Sequence, residues 1–186
     1  MTGSSVLPVC LHKNKLYFLF GKENELESSA KGFSDFGGGV ENNEKIFDTA
    51  LREGGEELTG FLGDSSQLQK HIDNHGGVLK HVHEDKYHIH MFHLPYDPNL
   101  PFYYNNNHRF LWERMNKKML GKTKLFEKIE IGWFTTKDIK KRIREFRPFY
   151  QEIILNVLKD TDRIRKFLQK NKRNGHNKTK KQNSIK

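Results

Sequence analysis

Apolar residues near the start of the chain alternate with a period of two. VLPVC at residues 6–10 and LYFLF at 16–20 flank a polar stretch, and Leu16, Phe18 and Phe20 alternate with Tyr17 and Leu19. This pattern predicts two strands joined by a turn over residues 12–15. GFSDFGGGV at 32–40 predicts a short strand running into a glycine-rich turn, with Phe33 and Phe36 assigned to the core. The period then changes. Between residues 44 and 58, Ile46, Phe47, Ala50, Leu51 and Leu58 recur at helical spacing, and Gly60 supplies a stop signal.

Further along, residues 65–74 predict an exposed helix broken by Gly76 and Gly77. Residues 76–97 predict a hairpin turning at Glu84 and Asp85. With that turn, His81 faces His88, and His81, His83, His88 and His90 share one sheet face, leaving Val82, Tyr87, Ile89 and Met91 on the other. Zinc on such a face is disfavoured, because ligands strung along an extended sheet do not converge tetrahedrally; a polar wall touching substrate, or a plain solvent face, fits better. Residues 95–107 read as an aromatic loop, 108–121 as a helix, 125–134 as a strand, 136–144 as a helix and 148–168 as one C-terminal helix. Alternating strand and helix patterns indicate a layered α/β domain.

The chemistry concentrates in residues 38–60, GGVENNEKIFDTALREGGEELTG. Glu53, Glu56 and Glu57 are three and four residues apart, so on a helix their carboxylates leave from one face. Clustered oxygen ligands of this kind suit Mg²⁺ or Mn²⁺. Arg52 is placed to pair with Glu56 or Glu44, and the glycines at 37–39 let backbone approach a metal or phosphate closely. Gly54 and Gly55, in mid-helix, are expected to cost about 2 kcal/mol of helix propensity relative to alanine.

Gly38, Glu44, Arg52, Glu53, Glu56 and Glu57 stand at the spacing G-x5-E-x7-R-E-x-x-E-E, which resembles the signature box of the Nudix hydrolases, enzymes that cleave a diphosphate linked to another group. Chance would produce the six positions in roughly 10⁻⁵ of chains of this size at background residue usage. Two positions depart from the family pattern. Gly54 stands where an apolar residue is usual, and Thr59 where glycine is usual, which suggests a helix ending one residue late at Gly60.

The resemblance implies an α/β/α sandwich with a mixed β-sheet. It also implies a pyrophosphohydrolase using Mg²⁺ or Mn²⁺, with Gly38, Glu53, Glu56 and Glu57 as metal-binding positions and Glu53 as base or base-assisting ligand, supported by Arg52. A late-strand glutamate before a tryptophan can ligate metal or act as base in the family; before Trp133 that is Glu127, the favoured choice, or Glu130. Expected substrates are pyrophosphate-containing nucleotides. Phe102, Tyr103, Tyr104 and Trp112 are candidates for stacking on a base, and Lys80 and Lys86 for meeting phosphate.

Charge then narrows the partners. Residues 1–162 hold 23 Lys+Arg and 23 Asp+Glu, whereas residues 163–186 hold 10 Lys+Arg and no acid, so the net charge of +10 belongs to the tail. The expected division is a hydrolase domain over 1–168 and a basic, disordered tail over 169–186. A basic arm favours RNA as a partner and 5′ cap removal as the reaction; the alternative is a small-molecule enzyme acting on inositol pyrophosphates or dinucleoside polyphosphates. A single cysteine, Cys10, and the lack of a signal-like start or a long apolar run fit a cytoplasmic or nuclear protein with no membrane association.

Overall fold

The computed structural model describes residues 2–24, 31–41, 43–120 and 126–171. A mixed sheet forms the middle layer. Strand β1 (Gly3–His12) lies at its centre, parallel to β6 (Tyr87–His93), which pairs antiparallel with the edge strand β5 (Val78–His83). On the other side of β1, β4 (Phe36–Gly39) pairs with its first half and β2 (Lys15–Glu23) with its second half. Strand β2 also carries β3 (Phe33–Ser34) and β7 (Lys128–Thr135).

Helices cover both faces. The box helix α1 (Ile46–Glu57), α2 (Ser65–Asn74) and α3 (Leu100–Arg114) lie on one side. There Val6, Leu19, Phe36, Ala50, Leu51, Leu58, Leu68 and Phe92 form a buried cluster. A short α4 (Lys117–Leu120) follows α3. The opposite face is sealed by α5 (Thr136–Lys141), α6 (Pro148–Val157) and α7 (161–171), whose Ile139, Ile153, Ile154, Ile164 and Leu168 pack with Leu7, Phe18, Phe20 and Phe134. The expected α/β/α layering with a mixed sheet is therefore what the chain adopts. Phe33 and Phe36 are core residues on opposite faces of the sheet.

Four expectations change. The aromatic stretch at 95–107 is largely helical, because α3 starts at Leu100 with Pro101 in its first turn, where the missing N–H costs nothing. The single helix expected over 148–168 is interrupted by a 3₁₀ turn at Leu158–Asp160 before α7. The hairpin loop is longer by one residue. Glu84 and Asp85 both take positive φ, but the ladder pairs His83 with Tyr87 and His81 with Ile89.

That slip moves half of each strand pair to the other face, so the four histidines do not form one wall. His81 bonds Asp160 and His83 bonds Asn156 on the C-terminal-helix side, while His90 is buried against Phe47 of α1 on the other. Burial holds the His90 imidazole down to about 4.

The fourth change is at the end of α1. It terminates at Glu57, with Thr59 N–H donating to Glu56 O and Gly60 N–H donating to Gly55 O. This is a Schellman turn with Thr59 as the left-handed residue, at φ 54°. The helix therefore does not end one residue late: threonine occupies the turn although a β-branched residue is strained there. The basic segment 172–186 lies outside the described residues. No helix among the described residues is long and apolar enough to cross a membrane.

Candidate functional site

The box glutamates are placed by the closeness of α1 to the strands beneath it. Gly54 meets β1 directly: a Cβ there would come within 2.5 Å of Val6 Cγ2 and 3.1 Å of Leu68 Cδ2. Only glycine lets the helix approach this closely, so the residue that departs from the pattern serves packing. At Gly38 a Cβ would sit 2.5 Å from Glu53 Oε1, so the Glu53 carboxylate lies directly on the glycine backbone of β4. Glu57 reaches the same strand, where Gly37 N–H donates to its Oε2 at 2.7 Å.

Arg52 organises the outer side. Its Nε and Nη2 donate to the two oxygens of Glu44 at 3.0 and 3.1 Å, and its Nη1 donates to Glu53 Oε1 at 2.7 Å. Glu56 is farther off, at 3.6 Å from Nη1. Arg52 therefore pairs with Glu44 chiefly, and the guanidinium, with help from the Thr49 hydroxyl, holds the Glu44 carboxyl down to about 2. The expected choice between Glu44 and Glu56 resolves to Glu44 because that side chain, just ahead of the helix, meets the guanidinium in a two-point geometry.

The inner side holds residues that sequence patterning passed over. Lys128, the first residue of β7, is fully buried; its ammonium bonds Glu23, lies 3.1 Å from Glu57 Oε1 and donates to Ser34 Oγ at 3.1 Å. Glu23 also accepts from Arg147 Nη1 at 2.6 Å. Burial pushes the Glu57 carboxyl well above its usual range against the pull of Lys128. Burial works to lower the Lys128 ammonium, but the charges of Glu57 and Glu23 raise it overall. Beside them Asp35 is buried, accepting from Ser5 Oγ at 2.5 Å and Tyr87 Oη at 2.7 Å; desolvation lifts its carboxyl to about 6. No spacing rule marks a buried lysine, so this cluster carried no signal in the sequence pattern.

The remaining candidates separate. Glu127 is half-buried beside the cluster, and its charge contributes to the shift at Glu57. Glu130 lies opposite Lys22 in the β2–β7 ladder, 3.7 Å from its ammonium. Tyr104 is turned inward, sharing a 3.0 Å hydrogen bond with Thr59 Oγ1 and donating weakly to Glu57 O and Lys128 O. Phe102 and Tyr103 stand exposed on α3. Trp112 and Glu130 line a cavity of about 470 Å³ between α3 and β7. Lys86 borders a cleft that also takes in Gly37, Gly38 and Gly39, whereas Lys80 is exposed on β5. The aromatic candidates fall into two groups on α3: Phe102 packs edge-on against Tyr103 at 5.5 Å, and Tyr104 and Trp112 each stack on His108.

The carboxylates offer hard oxygen donors against a glycine backbone, a donor set that fits Mg²⁺ or Mn²⁺. Among the described residues, the group of three side chains with ligand atoms within 4.8 Å of one another is His83, Glu84 and Glu152, at the far end of the cleft.

No protein-family model and no curated protein sequence matches the chain. Among solved structures it is similar to a C. elegans Ap4A hydrolase in a binary complex, with 13% identity over 77% of this chain and 84% of that one and a TM-score of 0.38. It is also similar to a NUDIX hydrolase from Nitrosomonas europaea, with 17% identity over 84% and 88% and a TM-score of 0.39.

Proposed function

We propose that the chain is a divalent-metal-dependent pyrophosphohydrolase of the Nudix kind, acting on a small nucleotide substrate such as a dinucleoside polyphosphate. The observation that carries this reading is the convergence of Glu53 and Glu57, both from α1, on the backbone of Gly37 and Gly38. Glu53, Glu56, Glu57 and the Gly38 carbonyl are the groups that would hold Mg²⁺ or Mn²⁺. Such an ion, when bound, acidifies a water and neutralises charge on the anhydride.

The chain's own residues have distinct parts in this scheme. Arg52 positions Glu53 through its Nη1 and is itself anchored on Glu44. Gly37 N–H and the Lys128 ammonium fix the two oxygens of Glu57. Glu127 is the nearer of the two late glutamates to that cluster and is the assigned proton acceptor.

Capped RNA as substrate was favoured by two features: a basic tail, which falls mainly outside the described residues, and an aromatic loop, which is instead the helix α3. A small nucleotide needs neither. The test is product release with Mg²⁺ or Mn²⁺ from diadenosine polyphosphate, capped RNA and inositol pyrophosphate, with Glu53→Gln as control. Wild type is expected to prefer the dinucleotide and the variant to lose about 10²–10⁴-fold in turnover. Absence of metal-dependent hydrolysis of all three would overturn the reading.

A further inference from the structure

The glycine strand β4 has two sides. One meets Glu53 and Glu57; the other opens into a cleft of about 530 Å³ bounded by Gly37–Gly39, the β5–β6 loop and the start of α6. Four features of that cleft bear on what it binds. Phe149, in the first turn of α6, is 49% exposed, which is unusual for an aromatic ring in a concave wall. The Arg147 guanidinium lies over this ring, 4.9 Å from its centroid, and Tyr87 packs edge-on at 6.3 Å. Arg147 is in turn tied to Glu23 and so to the Lys128 cluster. At the far end Glu84 and Glu152 are exposed carboxylates whose oxygens lie within 4.8 Å of each other and of a His83 ring nitrogen.

The charges select among ligands. A densely phosphorylated ring would bring its anions against Glu84 and Glu152, which is unfavourable at short range. A nucleobase would not: its π face suits Phe149, and its N–H groups suit carboxylate acceptors. Arg147 and Lys86 remain on the cleft wall for a phosphate between base and anhydride.

We propose that this cleft is the nucleoside subsite, with Phe149 stacking on the base and Glu152 accepting from its N–H groups. The subsite rests on the anhydride-hydrolase reading above and assigns its substrate class: nucleotides whose base carries N–H donors, in preference to inositol pyrophosphates.

The experiment separates the two readings by measuring binding without metal. With full-length protein in EDTA, AMP, GMP and inositol hexakisphosphate are titrated to millimolar concentration by calorimetry, alongside Phe149→Ala, Phe149→Trp, Glu152→Gln and His83→Ala, each checked for unaltered melting. The expected result is binding of AMP or GMP that weakens about tenfold in Phe149→Ala, since one stacked base contributes about 1–3 kcal/mol. Phe149→Trp should restore it, Glu152→Gln should weaken it, and inositol hexakisphosphate should bind more weakly than either nucleotide.

Unchanged nucleotide binding in Phe149→Ala would overturn the subsite, as would tighter binding of inositol hexakisphosphate. Binding that appears with Mn²⁺ alone and vanishes in His83→Ala would also overturn it, making this end of the cleft a metal site. Loss of hydrolysis with binding intact would count against the catalytic reading only.

Discussion

Lys128 Nζ stands 3.1 Å from Glu57 Oε1 while also bonding Glu23, so one buried ammonium joins the box helix to strands β2 and β7. Removing it leaves the buried Glu57 carboxylate without its cation and Glu23 with Arg147 alone. Lys128→Met is expected to destabilise the fold by about 3–5 kcal/mol, the range for breaking a buried ion pair from one side. Adding Glu57→Gln removes the orphaned charge and should recover part of that loss. Urea midpoints of the single and double variants measure it; a single variant within about 1 kcal/mol of wild type would mean that the ammonium is dispensable.

Neighbouring glycines in α1 should respond in opposite directions to the same substitution. Alanine is favoured over glycine by about 1 kcal/mol in a helix interior. At Gly55 the new Cβ would meet its neighbours at ordinary distances of 3.6 Å and beyond, so Gly55→Ala should raise the melting temperature. At Gly54 the Cβ would run into Val6 of the central strand, and overpacking costs about 1–3 kcal/mol, so Gly54→Ala should lower it. Two shifts of the same sign would contradict this account of the close approach.

Asp35 makes stability fall as pH rises through a defined window. Its carboxyl is lifted by burial from 3.8 to about 6, so between those values the folded chain holds a proton that the unfolded chain has released. The group therefore favours folding most below pH 3.8, and that contribution fades as pH climbs to about 6. Over the window the loss is about 3 kcal/mol at 1.36 kcal/mol per pH unit. Denaturant unfolding of wild type and Asp35→Asn at a series of pH values isolates the effect. Wild type should lose stability relative to the variant across the window, and parallel pH curves would show that Asp35 titrates normally.

Periodicity and spacing carried the fold because they report on whole faces of elements. The alternation at residues 16–20 and the helical spacing of Ile46, Ala50 and Leu51 placed β2 and α1. Spacing failed where a single residue's value depends on a distant partner. Gly54 read as a helix-weakening residue, because Val6, 48 positions away, is invisible to local propensity. The histidine register failed by one residue because positive φ at Glu84 and Asp85 did not determine how many residues the loop would take. Lys128 and Glu23 were missed because a buried charge pair leaves no periodic trace, and the inward hydrogen bond of the Tyr104 hydroxyl to Thr59 is likewise set by a partner 45 positions away. At the site, the box residues were legible as a group, while the cleft beyond Gly37–Gly39 is assembled from three separate segments.

The two late glutamates provide the sharpest test of the chemistry. Glu130 is about 43% exposed and faces Lys22 across the β2–β7 ladder, a surface pairing of small energetic value. Glu127 lies one residue before the Lys128 cluster and acts on Glu57 through its charge. Under the proposed reaction, Glu127→Gln should lower kcat by about 10²-fold or more with KM little changed, as expected for a group that handles a proton in the transition state. Glu130→Gln should stay within about twofold of wild type, since it gives up only an exposed pair. Steady-state kinetics on diadenosine polyphosphate decide between them. If Glu130→Gln is the crippled variant, the proton acceptor sits on the α3 side of β7, where Glu130 and Trp112 line a common cavity, and the substrate must approach from there.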